Sequence, residues 1–356
     1  MNSLATWLSR IETRLVPGFV DTAGLERLRD VCGQVPQAVA RGLGLETPLG
    51  ENTRRMDLHV PVPLPGADVQ GGARERTARW LQQAAGAGLL PPGVTALLPG
   101  SGTDEAQAHA LPAEVWFSFD LPPDAKGLAW PSVFFSLGRQ EERAEAARTL
   151  AAGLDLLEHI LTRPLSQGLR DAFFQLQACA APGSRLLLGA MPGREPAAFK
   201  VCLAETTSAQ CAQTLQRFSV SMDVSLAQEV LARHVALFDR VDLSLDLLEG
   251  PSPLTDRLGL EGYPPETAPS GQRQRWRAVV ERLVAEGLCG RDKGRALLAF
   301  VGAGVEPGQG LLARAAGDAL GTSLLVFRKL DHVKFVVRPR SQVTAKAYGI
   351  AVFTPR

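Results

Sequence analysis

Tyrosine is scarce in this sequence. Its 356 residues include two, Tyr263 and Tyr348, beside 14 phenylalanines and five tryptophans. The common catalytic signatures are missing as well. No HExxH occurs, and none of the five scattered histidines (His59, His109, His159, His234, His332) pairs with cysteine at zinc spacing, so no zinc site is expected. No GK[ST] follows a glycine-rich loop, and "PGSGTDE" at 99–105 is not a GxSxG elbow, which removes nucleotide-kinase and hydrolase chemistry. "VGAGVEPGQG" at 301–310 has Pro307 where GxGxxG needs its third glycine, and is expected to be a loop between two helices. The five cysteines (Cys32, Cys179, Cys202, Cys211, Cys289) are odd in number and form no CxxC, so free thiols in a reducing cytoplasm are expected.

Neither sign of charge is in excess. Thirty-eight basic residues against 37 acidic ones leave a net charge of +1, which argues against a nucleic-acid or anionic-membrane surface. No apolar run approaches the ~20 residues that span a bilayer. The opening "MNSLATWLSRIETRL" reads as an amphipathic helix carrying Arg10, Glu12 and Arg14, not as a signal peptide, so a cytoplasmic protein is expected.

What the sequence does contain is alternation. Ten runs read as strands, at roughly 43–49, 55–62, 114–121, 131–138, 184–192, 197–205, 241–249, 256–263, 324–339 and 345–353. They fall into five pairs with short linkers, hence antiparallel hairpins. Helical stretches precede each pair, at 2–35 (broken at Pro17–Gly18), 72–98, 139–178 (broken at Pro164), 207–238 and 270–320. "LGLE" occurs at 43–46 and again at 258–261, suggesting an internal pseudo-repeat of about 36–140 and 250–353 within one domain of 1–356.

Each strand has a greasy face and a polar one. Met56, Leu58 and Val60 oppose Arg55, Asp57 and His59; Val115, Phe117 and Phe119 oppose Trp116, Ser118 and Asp120. Phe199, Val201 and Leu203 oppose Lys200 and Cys202, and the leucines of 241–249 oppose Asp242, Ser244 and Asp246. Leu258 and Leu260 oppose Gly259, Glu261 and Tyr263. In the closing pair, Val333, Phe335 and Val337 oppose His332, Lys334 and Arg338, while Ala347, Gly349 and Ala351 oppose Lys346 and Tyr348. In an open sheet the charged faces would be solvent surface. A flat sheet of ten strands tends to curl or split and leaves two edges to protect; closure removes the edges and gathers the polar faces into a hydrated lumen. The fold expected is α+β: five αββ repeats forming a closed ten-stranded antiparallel barrel, with helices outside.

This arrangement resembles the αββα (PT-barrel) aromatic and peptide prenyltransferases over nearly the whole chain. Members of that family typically place an acid on the first strand, an arginine on the next, and Lys-x-Tyr or Arg-x-Lys-x-Tyr later. Glu46 in "LGLETP", Arg55, and Lys346 with Tyr348 match those positions. Lys200 matches the lysine with Cys202 in place of tyrosine, and the strand at 131–138 offers Ser132, Phe134 and Ser136 instead of Lys-x-Tyr. The resemblance implies a prenyl donor such as dimethylallyl diphosphate and an electron-rich acceptor, aromatic or a peptide side chain such as Trp, His or Arg. It implies Glu46 and Tyr348 as catalytic groups and Arg55, Lys200, Lys334, Arg338, Lys346, Trp116, Glu261 and Tyr263 as substrate-binding ones. No DDxxD motif occurs, so Mg2+ is expected to be dispensable, with no other cofactor. A non-catalytic barrel for a zwitterionic small molecule or peptide segment fits the same pattern and the scarcity of tyrosine. Two open-sheet domains built on the "LGLE" repeat would fit the repeat.

Overall fold

The computed structural model describes the whole chain except residues 1, 16–17, 51–53, 65–71, 99–111, 123–128, 140–142, 195–196, 218–223, 251–252, 266–268, 307–323, 340–341 and 356. The strands, in chain order, are β1 (Leu43–Pro48), β2 (Asp57–Pro63), β3 (Glu114–Phe119), β4 (Ser132–Arg139), β5 (Arg185–Met191), β6 (Ala198–Ala204), β7 (Arg240–Leu248), β8 (Leu254–Tyr263), β9 (Gly302–Glu306), β10 (Leu324–Arg338) and β11 (Gln342–Pro355). Strands β1 to β8 pair in sequence, β8 pairs with β10, β10 with β11, and β11 returns to β1. The result is a closed antiparallel ring of ten strands, as the alternation predicts.

The stretch at 301–310 departs from expectation. Gly302–Glu306 is a strand rather than part of a loop, while 307–310 lie outside the described residues. The reason is the length of β10. Its 15 residues outrun the wall: Val333–Val337 pair with β8, leaving Leu324–Arg328 as an overhang that β9 covers.

Helices sit outside, where the greasy faces point. Trp80 packs edge-on against Phe117, Phe173 against Phe199, and Trp7 stacks on Phe353. Phe117 and Phe199 are fully buried, and each such side chain stabilises the fold by roughly 1.5–3 kcal/mol. Local signals set the helix boundaries. Asp21 caps Thr22–Gln34 by accepting from the Gly24 amide at 2.7 Å, and Ser166 caps Gln167–Cys179, just after Pro164 ends the helix Arg143–Leu161. No helix of the described residues is long and apolar enough to cross a membrane.

Because neighbouring strands are antiparallel, the strand ends that lead into hairpins share one end of the barrel and those that lead to helices the other. Two inward glycines make room for larger neighbours. A side chain at Gly189 would collide with the Phe134 ring, and one at Gly259 would lie 2.5 Å from Lys334 Cε. Glycine there lets Phe134 and Lys334 lie across the neighbouring strand.

Candidate active site

The cations predicted from the sequence gather toward the hairpin end of the lumen. Lys200 Nζ lies 3.3 Å from Asp246 Oδ1, and Arg257 Nη1 lies 3.3 Å from Asp246 Oδ2. Lys334 Nζ donates to Glu261 Oε1 at 2.8 Å. Arg194, in the turn after β5, holds Asp120 through Nε at 2.8 Å, and Arg55 binds Asp57 at 3.0 Å with Asp120 3.9 Å away. Burial pushes the Asp246 carboxyl up, but Lys200, Arg257, Lys334 and Arg194 together bring it down to about 2. Burial, reinforced by the neighbouring charge of Lys334, lowers Lys200 to about 8. Burial lowers Lys334 too, yet Glu261 and Asp246 outweigh it and leave that ammonium above its ordinary value. Several fixed cations thus crowd one level of the lumen, each facing a carboxylate: Asp57, Asp120, Asp246 or Glu261.

The next wall is formed by β1, β2, β10 and β11. Glu46 is buried and accepts from Lys346 on the neighbouring strand β11, and lies 3.2 Å from His59 Nε2. Burial raises the Glu46 carboxyl, but Lys346 and His59 hold it well below the ordinary range, so it is ionised and His59 Nε2–H donates to it. From His59 a column of rings crosses the wall. The His59 and Tyr348 centroids are 5.6 Å apart, His332 stacks on Tyr348 at 4.0 Å and 18°, and Tyr263 follows at 4.6 Å. Arg240 closes the column 3.6 Å over the Tyr263 ring. Burial, with Glu46 and Glu261 nearby, holds the Tyr348 hydroxyl far above its ordinary value, so it remains a neutral donor.

Toward the helix end lie Asp242, which faces Arg240, and Glu261, which faces Lys334. Burial pushes Asp242 up to about 7 against the pull of Arg240, with Glu261 adding to the rise. Burial raises Glu261 as well, but Lys334 and His332 bring it to about 2. Cys202, Asp242 and Glu261 offer ligand atoms within 4.8 Å of one another, a spacing open to a metal ion. Lys334 already donates to Glu261 there, and its charge opposes a second cation. The facing wall is less charged: Trp116 pairs with Phe134 across β3 and β4, and the Lys200 ammonium lies 5.9 Å from the Phe134 centroid.

Of the residues singled out from sequence, Glu46, Arg55, Lys200, Glu261, Tyr263, Lys334, Lys346 and Tyr348 take part in this connected lumen network. Trp116 stands apart on the facing wall, 36% exposed, its indole N–H donating to Glu114 at 2.8 Å. Arg338 ends β10 opposite Gln342 and, among the described residues, pairs with no carboxylate. The sequence reading missed Arg194 and Arg257 as members of the basic cluster. Arg257 shares the parity of Glu261 on its strand, a signal that was available; Arg194 sits in a turn, where parity carries no information.

No protein-family model matches the chain, and comparison with curated proteins finds no match. Solved structures do match. Apo prenyltransferase PriB superposes with a TM-score of 0.56 at 15% identity, covering 98% of this chain and 96% of that one. 6-Dimethylallyltryptophan synthase from Micromonospora olivasterospora, in complex with DMASPP and Trp, gives 0.55 at 16% identity, covering 98% and 97%. AnaPT from Neosartorya fischeri gives 0.57 at 9%, covering 98% and 92%. The barrel, the order of its strands and its outer helices are therefore those of the αββα prenyltransferases: the chain has the PT-barrel fold.

Proposed function

We propose that this protein transfers a prenyl group from an allylic diphosphate to an electron-rich acceptor held in the lumen. One observation carries the reading: a cluster of fixed cations lies beside a column of π-faces inside one closed barrel. Arg194, Lys200, Arg257 and Lys334 would hold the diphosphate, with Arg55 and Lys346 flanking it. Charge grows on the leaving group as the C–O bond breaks, and cations on rigid strands stabilise it without reorganising. The allyl cation needs π-faces, each worth about 0.5–2 kcal/mol. With two tyrosines in the chain, Tyr348 and Tyr263 are supplemented by Trp116 and Phe134. Glu46 would accept an N–H as positive charge builds on the acceptor. Asp242 and Glu261 would suit an acceptor with a cationic group, such as an amino acid or a peptide segment.

PriB has been solved with L-tryptophan and dimethylallyl thiolodiphosphate, which makes L-tryptophan and dimethylallyl diphosphate the first pair to try. The test is incubation with that donor and L-tryptophan, then with peptides bearing Trp, His or Arg, with and without EDTA. The expected product gains one dimethylallyl group and forms undiminished in EDTA, because the protein supplies the cations itself. Donor binding without transfer to any acceptor would favour the second reading, a non-catalytic barrel for a zwitterionic ligand. The observation that favours it is that Lys200, Lys334, Lys346, Arg55, Arg194 and Arg257 each already face a carboxylate.

A further inference from the structure

Prenyl transfer to a ring carbon leaves a proton to be removed, and the lumen offers several bases. Five of them are poor candidates. Glu46 and Glu261 are held ionised by Lys346 and Lys334 and accept a proton reluctantly. Asp57 and Asp242 are pushed up by burial, but each is tied to an arginine and a backbone amide. Asp57 faces Arg55 and accepts from the Leu121 amide, Asp242 faces Arg240 and accepts from the Glu205 amide, and each is 2% exposed. His59 spends Nε2 on Glu46.

His332 differs from all of these. A register shift in β10 between Leu330 and His332 places Asp331 and His332 side by side at the wall, the kind of bulge that re-aims a side chain. Asp331 Oδ2 lies 3.0 Å from His332 Nδ1. Burial raises the Asp331 carboxyl, but His332 and Lys329 lower it further, so it is ionised and accepts the Nδ1 proton. With the Nδ1 proton held there, the base form of the ring has its lone pair on Nε2. That atom faces Glu261 Oε2 at 3.8 Å, beyond hydrogen-bond reach but close enough to stabilise an imidazolium. The groups around the ring are Asp331 and Lys334 on β10, Glu261 and Tyr263 on β8, Tyr348 on β11 and Asp242 on β7. Such an oriented imidazole is the usual form of a general base.

We propose that His332 is the catalytic base that restores aromaticity to a carbon-prenylated acceptor, with Asp331 as its positioning residue. This rests on the transferase reading above. The step balances. The ring's π pair forms the new C–C bond to C1 of the donor, and the C1–O pair leaves with diphosphate. The C–H pair then returns to the ring as the proton passes to His332 Nε2.

The experiment compares wild type, His332→Gln and Asp331→Asn, using L-tryptophan with protium or deuterium on its indole carbons. Binding of dimethylallyl thiolodiphosphate serves as the check that each barrel is intact. His332→Gln should bind that analogue as wild type does, lose about 10²-fold in turnover, and acquire a primary deuterium effect as proton removal becomes rate-limiting. Asp331→Asn should lower kcat by a smaller factor, leave KM unchanged and raise the same isotope effect. Normal turnover in His332→Gln, or a loss with no rise in isotope effect, would overturn the assignment alone. Failure of His332→Gln to bind the analogue, with Asp331→Asn slowed but showing no isotope effect, would make both residues structural and overturn it too. If wild type forms no prenylated product with any acceptor, the transferase reading and this assignment fall together; products prenylated on nitrogen alone would overturn this assignment and leave the transferase reading standing.

Discussion

Lys334 and Lys346 are direct cross-strand partners on β10 and β11, and each turns to a different carboxylate. Like charges opposite one another destabilise a sheet; here Lys334 binds Glu261 and Lys346 binds Glu46, so the two ammonium groups are drawn to opposite sides of one lumen level. A diphosphate bridging them would satisfy both. Lys334→Ala and Lys346→Ala should each weaken binding of dimethylallyl thiolodiphosphate by about tenfold or more, since truncating one partner of a buried charge contact costs about 2–5 kcal/mol. Isothermal titration measures this. Unchanged affinity in both variants would place the donor elsewhere.

Asp246 sits amid Lys200, Arg257, Lys334 and Arg194, where a donor's negative charge would also go. It is their counter-ion, and it would repel an arriving diphosphate. Asp246→Asn should therefore bind inorganic diphosphate several-fold more tightly than wild type while melting at a lower temperature. Weaker binding would mean that Asp246 holds the lysine and arginine in place rather than competing with the ligand.

The ring of strands was legible because nearly every wall position alternates between helix-covered and lumen-facing surroundings, and that alternation is written residue by residue. From Glu46 through Asp57, Lys200, Glu261 and Lys334 to Tyr348, parity alone put these side chains on the lumen face. It failed where the period breaks. Arg194 lies in a turn, Asp331 sits at the β10 register shift, and Gly302–Glu306 is glycine-rich with a partner found only on an overhang. The pairing of each cation with its acid was also hidden, because those contacts join strands far apart in sequence.

The pH dependence of stability follows from opposed shifts. Asp246 and Glu261 have folded values lowered to about 2 from 3.8 and 4.5. The stability they contribute is present above their unfolded values and is lost as pH falls from about 4.5 toward 2. Asp242 runs the other way, raised from 3.8 to about 7: folding favours its protonated form, so its contribution is best below 3.8 and worsens as pH rises to about 7. Asp242→Asn removes that burden. Melting curves should show the variant more stable than wild type at pH 8 and close to it at pH 4. A variant less stable at pH 8 would show that the ionised carboxylate's bond to Arg240 outweighs its burial.

Glu46 is the acid on which sequence and geometry agree most closely, and its surroundings define what it can do. Lys346 and His59 keep it ionised, which makes it a hydrogen-bond acceptor rather than a proton sponge. An N–H on the acceptor becomes more acidic as the ring attacks the allyl carbon, so a bond to Glu46 strengthens in the transition state. Glu46→Gln keeps the shape and removes the charge. Turnover should fall about 10²-fold, the scale of a positioned acid or base, with little loss of donor affinity, since the freed Lys346 would still be available to the diphosphate. Lys346→Ala should instead lose affinity and rate together, because a cation on diphosphate acts in ground and transition states alike. Steady-state kinetics of the two variants, with thiolodiphosphate binding measured on the same preparations, separates these outcomes. If Glu46→Gln turns over like wild type, the N–H contact belongs to another carboxylate, and Glu261 is the next to test, since it binds Lys334 much as Glu46 binds Lys346.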